Sequence, residues 1–582
     1  MIPVKFYNRS IMTNRKIYIF WALLISVASI TPSCKKNFGD INTNPSVVTV
    51  PDIGFLLTYA EDQIVKYQYT EWIWESMEQL LRFTQHVTTD PYELTSNVNL
   101  RYNTYYLQVL PNLVEIRRQI ASRADSANYK KMSAVTYVLQ ALHGIKVTDM
   151  NGSIPYTQAT RGRTDAAFSP EYNTQQQLFD IWLSELDNAI IALSDNSGTT
   201  QASYGTADIY YKSDWNKWVM LANSLKLRIA ARLELQDVEK TRQIFQQVMQ
   251  NSIGPIVSKE NQLEYTNVDY LPFGTGGEIT YRSQRFGTTS IINFMKKADD
   301  PRLPIYFEQN GLQGNYQDTL SKYNTSLPAF IDPADPMISF QGGPADFTSN
   351  PALAAYLKNP FTVGNSSSGN SVTNYFLISP VNRKFFSPRY NATDVSLLYK
   401  EVSVSAAESD LTIAEFIQKG YAGSVDTRGT AADWYNMGVA ASLRTMNDIA
   451  QVAGSTTGYS GDGAAEISSY LENENIKLNG INDLERIYIQ QHLNFYRNPN
   501  EAFVFSRRTG YPKKTSGYYA REPMNETIPR RFWTLDPGET NRQNWEAAMQ
   551  EQSFTPNAQD LPTLSTQRVW YDKPAPEFGE GN

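Results

Sequence analysis

The segment DWNKWVMLANSLKLRIAARL, from Asp214 to Leu233, decides the fold class of this chain. Its apolar residues recur at three- and four-residue steps, which is the period of one face of an α-helix. The same spacing occurs in residues 130–146 and after the pair Asn173–Thr174, which suits a helix N-cap. Further helical segments are predicted at Ser405–Gly420, Thr430–Val452 and Asp483–Tyr496. The chain is therefore predicted to be mainly α-helical.

The helical segments come as neighbouring pairs, with about 20 residues in each helix, a size that indicates tetratricopeptide-like units. The stretch between Asn251 and Ser403 differs, because it is rich in Gly, Pro, Asn and Ser and shows few helical periods. A connection of this length without structure is unusual inside a compact domain. We therefore predict a large irregular, loop-rich lobe embedded in a scaffold of helix pairs.

The composition is that of a globular protein. Of the 582 residues, 41% are hydrophobic and 19% are charged, which excludes a disordered chain. The net charge of -7 argues against a nucleic-acid partner, because non-specific binding needs a basic face. A single cysteine excludes a disulfide framework and a cysteine-based zinc site. Three scattered histidines, His86, His143 and His492, leave little for a histidine-rich metal centre.

The N-terminus has the pattern of a bacterial lipoprotein signal peptide. Arg15 and Lys16 precede the uncharged apolar run Ile17–Ile30, which is too short for a membrane-spanning helix of about 20 residues. The only cysteine, Cys34, follows this run, so we predict that it becomes the first residue of the mature chain and is diacylated. The alternative is a buried or free cysteine near an uncleaved anchor. The residues before Cys34, Thr31–Ser33, depart from the usual Leu-Ala-Gly type. Met12 is the preferred start over Met1.

Local catalytic motifs are absent from the sequence: there is no GxSxG elbow, no HExxH helix and no Walker loop. The GTGGE string at Gly274–Glu278 lacks the Lys-Ser/Thr pair of a phosphate-binding loop and is interpreted as a flexible turn. His143 lies on a predicted helix among apolar residues, which favours a packed histidine over a general base. For Arg507 and Arg508, structural pairing is favoured over phosphate binding. Carboxylate pairs for glycoside hydrolysis stay open, because any two acids could meet in space.

A series of strings spans most of the chain in a fixed order. They are FGDINTNP (Phe38–Pro45), KVTDMNGSIPYTQA (Lys146–Ala159), the Asp214–Leu233 helix, DDPRLPIYF (Asp299–Phe307), SAAESDLTIAEFIQKG (Ser405–Gly420), WYNMGVAAS (Trp434–Ser442), EAFVFSRRTGYP (Glu501–Pro512), IPRRFW (Ile528–Trp533) and RVWYD (Arg568–Asp572). Together they resemble the SusD/RagB family of outer-membrane nutrient-binding lipoproteins, in particular its SusD-like branch. Each string is modest alone, and their order carries the resemblance.

The resemblance implies a SusD-like α/α fold and a non-catalytic role. A member of this family is lipid-anchored in the outer membrane, faces the cell exterior, and binds an oligosaccharide or, in some members, a peptide. It covers a TonB-dependent, SusC-like transporter as a hinged lid and delivers the ligand to it. No cofactor is implied apart from the lipid on Cys34, and a structural calcium ion is left open. The family's binding residues do not form a transferable motif.

Several residues within these strings have structural interpretations of their own. Gly152 and Pro155 fit a tight turn, with Tyr156 folding back over the helix end. Glu408 and Glu415 are predicted to pair with arginines or to cap backbone groups. Gly420 is predicted to end a helix, and Gly510 and Pro512 are predicted to mark the end of the Arg507–Pro512 segment.

The ligand face is predicted from chemistry alone. Sugar rings stack on aromatic side chains and their hydroxyls need Asn, Asp, Gln or Arg partners, so an exposed site should combine these residue types on loops. Two stretches meet this description, Asp90–Tyr106 and Asn267–Phe286. The candidate ligand-binding residues are Tyr92, Asn97, Arg101, Tyr102, Tyr270, Phe273, Tyr281 and Arg282. The alternative for each is ordinary anchoring of a loop.

The predicted organisation has three parts. Residues 1–33 form the signal peptide that is removed, 34–51 the lipidated tether, and 52–582 the SusD-like domain. Within the domain the predicted subdivisions are helical pairs at 52–250, a loop-rich ligand-facing lobe at 251–403, helical pairs at 404–510 and an irregular segment at 511–582.

Alternative functions are kept open beside the glycan-binding one. The first is a peptide-binding member of the same family, and the second is a surface-anchored hydrolase of the same polymers. The third is a scaffold that binds only protein partners. Turnover by the purified protein separates the hydrolase from the binding proteins, and calorimetry with glycans and peptides separates the others.

Overall fold

Polar residues at helix starts set the boundaries of the long helices. In the computed structural model, Thr174 accepts a hydrogen bond from the backbone N–H of Gln177 at 3.2 Å, and Gln177 Oε1 accepts one from Thr174 N–H at 2.9 Å. Asp214 caps the helix Trp215–Leu233, because its carboxylate accepts from the backbone N–H groups of Asn216 and Lys217. The predicted helices are confirmed. The residues described are 51–65, 70–89, 99–267, 285–364, 371–386, 398–455, 458–460 and 463–581.

The longer α-helices are numbered in chain order. They are α1 Ile53–Val65, α2 Leu110–Ala121, α3 Lys130–Asn151, α4 Gln175–Ser194, α5 Trp215–Leu233, α6 Val238–Gln250, α7 Thr289–Lys297, α8 Pro351–Lys358, α9 Ala406–Gln418, α10 Ala431–Val452, α11 Ala464–Glu472, α12 Asp483–Asn494, α13 Pro499–Thr509 and α14 Arg542–Gln552. Shorter helical segments include Thr70–Leu80, Leu81–Phe83, Leu100–Thr104 and Tyr105–Val109. The predicted mainly α fold is confirmed.

Sequential helices pack on each other as predicted for helix pairs. α1 packs against α2, α2 against α3, α3 against α4, α4 against α5 and α5 against α6. A second group follows later in the chain, in which α9 packs against both α10 and α12. α5 also contacts α9, and this contact joins the two groups of helices. The described residues from Ile53 onward form one compact unit.

The strands in the described part of the chain are short and form antiparallel pairs. β1 pairs with β5, β2 with β3, β4 with β8 and β6 with β7. Their bounds are β1 Val87–Thr88, β2 Ile154–Pro155, β3 Tyr172–Asn173, β4 Leu263–Asn267, β5 Phe286–Gly287, β6 Phe361–Val363, β7 Thr373–Tyr375 and β8 Tyr399–Val404.

The described residues hold one large hydrophobic core and two smaller ones. The large core lies among the helices and includes the fully buried Trp182, Trp218 and Trp545. A second cluster is confined to residues between 286 and 378, within the predicted loop-rich lobe. No helix in the described ranges is long and apolar enough to cross a membrane.

Charged side chains from distant strings pair inside the helical scaffold. Arg232 on α5 donates two hydrogen bonds of 2.7 Å to Asp149 on α3, and it also contacts Glu501 on α13 at 2.9 Å. Arg228, one turn earlier, pairs with Glu501 and with Glu408 on α9. All five side chains are buried. The network therefore ties four helices together, and the predicted pairing of Glu408 with an arginine is confirmed.

A second buried pair joins α9 to α13. Both guanidinium NH groups of Arg508 donate to the carboxylate of Glu415 at 2.7 Å. Burial alone would raise the pKa of Glu415, but Arg508 and Lys419 hold it well below its ordinary value. Arg507 donates to the backbone carbonyls of Asp149 and Arg530 at 2.8 and 2.6 Å. The structural interpretation of the arginine pair is confirmed.

The predicted turn after α3 is present. Gly152 has φ of 72°, a conformation that favours glycine. The hydroxyl of Tyr156 reaches back to Gln140 and also donates to Glu185, as its predicted return over the helix implies. Gly420 and Gly510 also have positive φ, 75° and 70°, at the ends of α9 and α13.

Candidate ligand-binding site

The strand pair β1–β5 joins the two stretches that were predicted to bind ligand. Thr88 pairs with Phe286 and Val87 pairs with Gly287. After β1 the chain continues toward Asp90, where the first stretch begins. The second stretch ends at Phe286, the first residue of β5. One end of each predicted stretch is therefore held at the same place in the fold, although almost 200 residues separate them in the sequence.

Buried polar contacts fix this strand pair to the helical scaffold. Arg285, directly before β5, is fully buried and pairs with Glu78 on the helical segment Thr70–Leu80. The hydroxyl of Thr288 donates to the carbonyl of Gln85 at 2.7 Å. The ring of His86 lies within hydrogen-bonding distance, 2.7 Å, of the carbonyl of His492 on α12. These contacts make the base of the candidate site rigid.

The other end of the second stretch is held by the longest strand pair. Asn267, its first residue, pairs with Tyr399 on β8. β8 continues into α9, whose N-cap Ser405 accepts from the backbone N–H of Glu408 at 3.1 Å. Both ends of the stretch are thus attached to elements that pack on the scaffold.

Six of the eight candidate residues lie outside the described residues: Tyr92, Asn97, Tyr270, Phe273, Tyr281 and Arg282. The lipidation site Cys34 and the Gly274–Glu278 string lie outside them as well. Their predicted roles stay predictions.

Arg101 is placed in the interior. Its side chain is 1% exposed, forms an ion pair with Glu75 and donates to Asn500 Oδ1 at 2.7 Å. Its backbone carbonyl lies 3.1 Å from Nε2 of His143. These contacts favour a structural role, in which Arg101 anchors the helix that follows residues 90–98.

Tyr102 is half-buried in a cluster of tyrosines. Its ring centroid lies 4.5 Å from that of Tyr106, and its hydroxyl lies close enough to that of Tyr172 on β3 for each to influence the pKa of the other. Burial raises the pKa of Tyr102 well above its ordinary value, and raises that of Tyr172 to about 12. These hydroxyls are neutral at physiological pH and act as hydrogen-bonding groups.

Sequence reasoning missed Tyr172, which stands beside Tyr102 although 70 residues separate them. The hairpin that carries it is formed by pairing of Pro155 with Tyr172. The only sequence signal for this contact was the turn at Gly152–Pro155. The turn directs the chain back toward α3, but it does not show which segment pairs with β2.

His143 is packed, as predicted. It is buried, and its ring stacks on Tyr105 with a centroid distance of 5.5 Å. Burial, with the nearby Lys146, lowers the pKa of His143 to about 4, so the imidazole is neutral at physiological pH. Within the described ranges, no cluster of three or more His, Cys, Asp or Glu side chains is arranged to hold a metal ion.

Comparison with protein families identifies the chain. The family model of the SusD-like proteins, described as "Starch-binding associating with outer membrane", matches residues 45–341 and 348–533. The chain belongs to the SusD-like family. The resemblance inferred from the ordered strings is confirmed. A comparison with curated proteins finds no match.

Solved structures share the fold of this SusD-like protein. A structure titled as a chitin-binding protein superposes with a TM-score of 0.66 at 19% identity, covering 90% of this chain and 100% of the other. A SusD homologue from Bacteroides fragilis gives 0.63 at 21% identity, with coverage of 90% and 99%. A chitin-binding SusD homologue from Flavobacterium johnsoniae gives 0.58 at 18% identity, with coverage of 90% and 98%. The tetratricopeptide-like scaffold is therefore shared.

Proposed function

We propose that this protein is a non-catalytic cell-surface lipoprotein that binds a nutrient oligosaccharide and delivers it to a TonB-dependent outer-membrane transporter. The observation that carries the proposal is the β1–β5 pair, which holds the ends of two aromatic and polar stretches together. The description of the matched family supports a glycan ligand and an outer-membrane location. The chitin-binding titles of two structures with this fold support a glycan as well.

The chemistry of the described residues supports binding rather than turnover. All three histidines are buried, and burial lowers the pKa of each of them. A buried neutral imidazole packed on aromatic rings is poorly placed to transfer protons to a substrate. The candidate residues of the two stretches are aromatic, amide and guanidinium side chains, which supply stacking and hydrogen bonds to a sugar.

Glycan binding is tested by calorimetry on the mature chain, 34–582, which contains every described residue. The probes are maltohexaose, N-acetylchitohexaose and a mixture of short peptides. We expect one of the glycans to bind, and replacing both Tyr270 and Tyr281 by alanine to weaken binding at least about tenfold, because two stacking surfaces are lost.

Tyr59→Ala is the matched control, since Tyr59 is an exposed tyrosine on α1 and belongs to neither predicted stretch. It should bind like the unmodified protein. If only the peptides bind, the ligand is a peptide and not a glycan. Cleavage of any probe would contradict the non-catalytic assignment.

Cys34→Ser is expected to release the protein from the outer membrane. Two acyl chains anchor a protein stably, because each buried CH₂ contributes about 0.8 kcal/mol to membrane binding. The variant, which carries no acyl group, lacks this contribution. Labelled palmitate should enter the unmodified protein and not the variant, and fractionation should move the variant to the soluble fraction. Equal membrane retention of both proteins would contradict the lipid anchor.

A further inference from the structure

An open groove of about 290 Å³ lies between the β2–β3 hairpin and helix α14. Tyr172 and Thr174 line it from the hairpin side, together with Glu171, and Asn544 and Glu551 line it from α14. The volume is near the lower end of ligand pockets, which span roughly 300–1,000 Å³. The groove is built from elements other than the β1–β5 pair, and at Tyr172 it borders Tyr102 of the first predicted stretch.

Fixed contacts preform the two walls of the groove. Asn544 Nδ2 donates to the carbonyl of Ser169 at 2.9 Å, and Gln552 Oε1 accepts from the backbone N–H of Ser153 at 2.8 Å. Gly152 lies directly against this side chain, because a Cβ atom there would be 1.8 Å from Gln552 Oε1, and its φ of 72° favours glycine. The groove does not need to form around its ligand.

The lining combines one aromatic ring with several hydrogen-bonding groups. Tyr172 is partly exposed and lines the groove, so its ring is available to a ligand there. Glu171 and Glu551 are exposed carboxylates, and the amide nitrogen of Asn544 is used by backbone carbonyls, so its Oδ1 is left as an acceptor. Thr174 Oγ1 accepts from Gln177 N–H, which leaves its own proton to donate.

This lining selects among ligand classes. None of the described residues that form it is Lys or Arg, which argues against an anion. Its apolar residues apart from the tyrosine are alanines, which offer too little area for a lipid chain. A sugar ring fits, because its CH face stacks on an aromatic ring and its hydroxyls donate to carboxylate and amide oxygens.

From this chemistry we infer that the groove is a second saccharide-binding site, which takes a short segment of neutral glycan. The inference rests on the proposed function, and it adds a site that the two predicted stretches do not contain. A polymer held at two places on one chain binds more tightly than at either alone, because the second contact is intramolecular.

The test uses the mature chain with photoreactive triacetylchitotriose and maltotriose. Mass spectrometry is expected to find label from one of them in the peptides that contain residues 169–174 and 544–551. Ala547→Trp places a large ring in the groove and should abolish this label, and calorimetry should show the stoichiometry falling from two sites to one. Ala355→Trp, on the exposed face of α8, is the matched control and should leave both measurements unchanged.

A conservative variant separates recognition from blocking. Glu551→Gln keeps the size of the side chain and is expected to weaken groove binding about tenfold, since a charge-assisted hydrogen bond becomes a neutral one. A cationic glucosamine trimer is the comparison ligand. If only the cationic trimer labels the groove, and about 0.5 M salt abolishes that labelling, the groove is a cation site and the inference is overturned.

The failures of the two proposals are distinguishable. If a trisaccharide binds at a single site and Ala547→Trp does not change that binding, the inference about the groove is overturned and the proposed function is kept. Absence of groove label with all three trimers also overturns the inference, whereas the hexasaccharide and peptide panel decides the proposed function independently.

Discussion

Replacing Arg232 by methionine is expected to lower the free energy of unfolding by about 3–5 kcal/mol. The side chain of Arg232 is 2% exposed and donates to both carboxylate oxygens of Asp149, each at 2.7 Å. Asp149 is fully buried, and Glu501 shares the same guanidinium. Methionine keeps much of the side-chain volume but leaves buried carboxylates without this counter-charge. An unpaired buried charge strongly destabilises the folded state. Urea denaturation followed by tryptophan fluorescence measures the change.

Lys240→Met provides the matched control on the surface. Lys240 pairs with Asp180, but their side chains are 33% and 49% exposed, so solvent screens the pair. Its loss should cost no more than about 1 kcal/mol. A double variant, Arg232→Met with Asp149→Asn, should recover part of the stability, because one buried charge is removed with its partner. Equal effects of Arg232→Met and Lys240→Met would refute the role assigned to the network.

Lowering the pH from about 6.5 toward 4 is expected to destabilise the protein through its buried histidines. Burial lowers the pKa of His86 to about 4, and burial together with His86 and Arg521 lowers that of His492 well below its ordinary value. The unfolded chain therefore binds protons below pH 6.5 that the folded chain does not bind. For His86 the full effect is on the order of 3 kcal/mol. Equilibrium denaturation across this pH range measures it.

His492→Phe isolates the histidine contribution. In the described part of the chain neither ring nitrogen of His492 has a hydrogen-bond partner, and its ring lies on His86 with centroids 3.8 Å apart. Phenylalanine keeps the ring contact and cannot be protonated, so the variant should lose stability less steeply between pH 6.5 and 4.5 and match the unmodified protein near pH 8.

The comparison between the two proteins is needed because other groups titrate. Burial raises the pKa of Glu61 and of Asp410, and each favours the folded state more as the pH falls, which opposes the histidines. The Glu415 carboxylate acts only at lower pH, since Arg508 holds its pKa low. Identical slopes for the two proteins would show that His492 does not contribute.

Local signals made the scaffold predictable. The helix after Thr174 was foreseen from its cap and apolar spacing, and the structure begins α4 at Gln175 with a reciprocal cap. The stop at Gly420 followed from glycine's tolerance of positive φ. Arg101 shows the limit, because its place in a polar, aromatic stretch suggested a ligand contact, whereas the fold surrounds it with Glu75 and Asn500. Whether a side chain such as that of Arg101 is buried depends on which helices pack around it, and the spacing of residues in the sequence does not show that.

By itself, the sequence determined the helical class, the starts and ends of the long helices, and membership in a family through ordered strings. The helix boundaries depend on residues within a few positions of each other, and the family membership depends on the order of short strings along the chain. Only the tertiary structure decided that Arg232 meets Glu501, 269 residues away, that Tyr172 meets Tyr102, and that two ligand-type stretches begin and end at one strand pair. Such meetings depend on how whole helices pack, because one sequence contains many possible partners for each charge or ring, and burial selects among them.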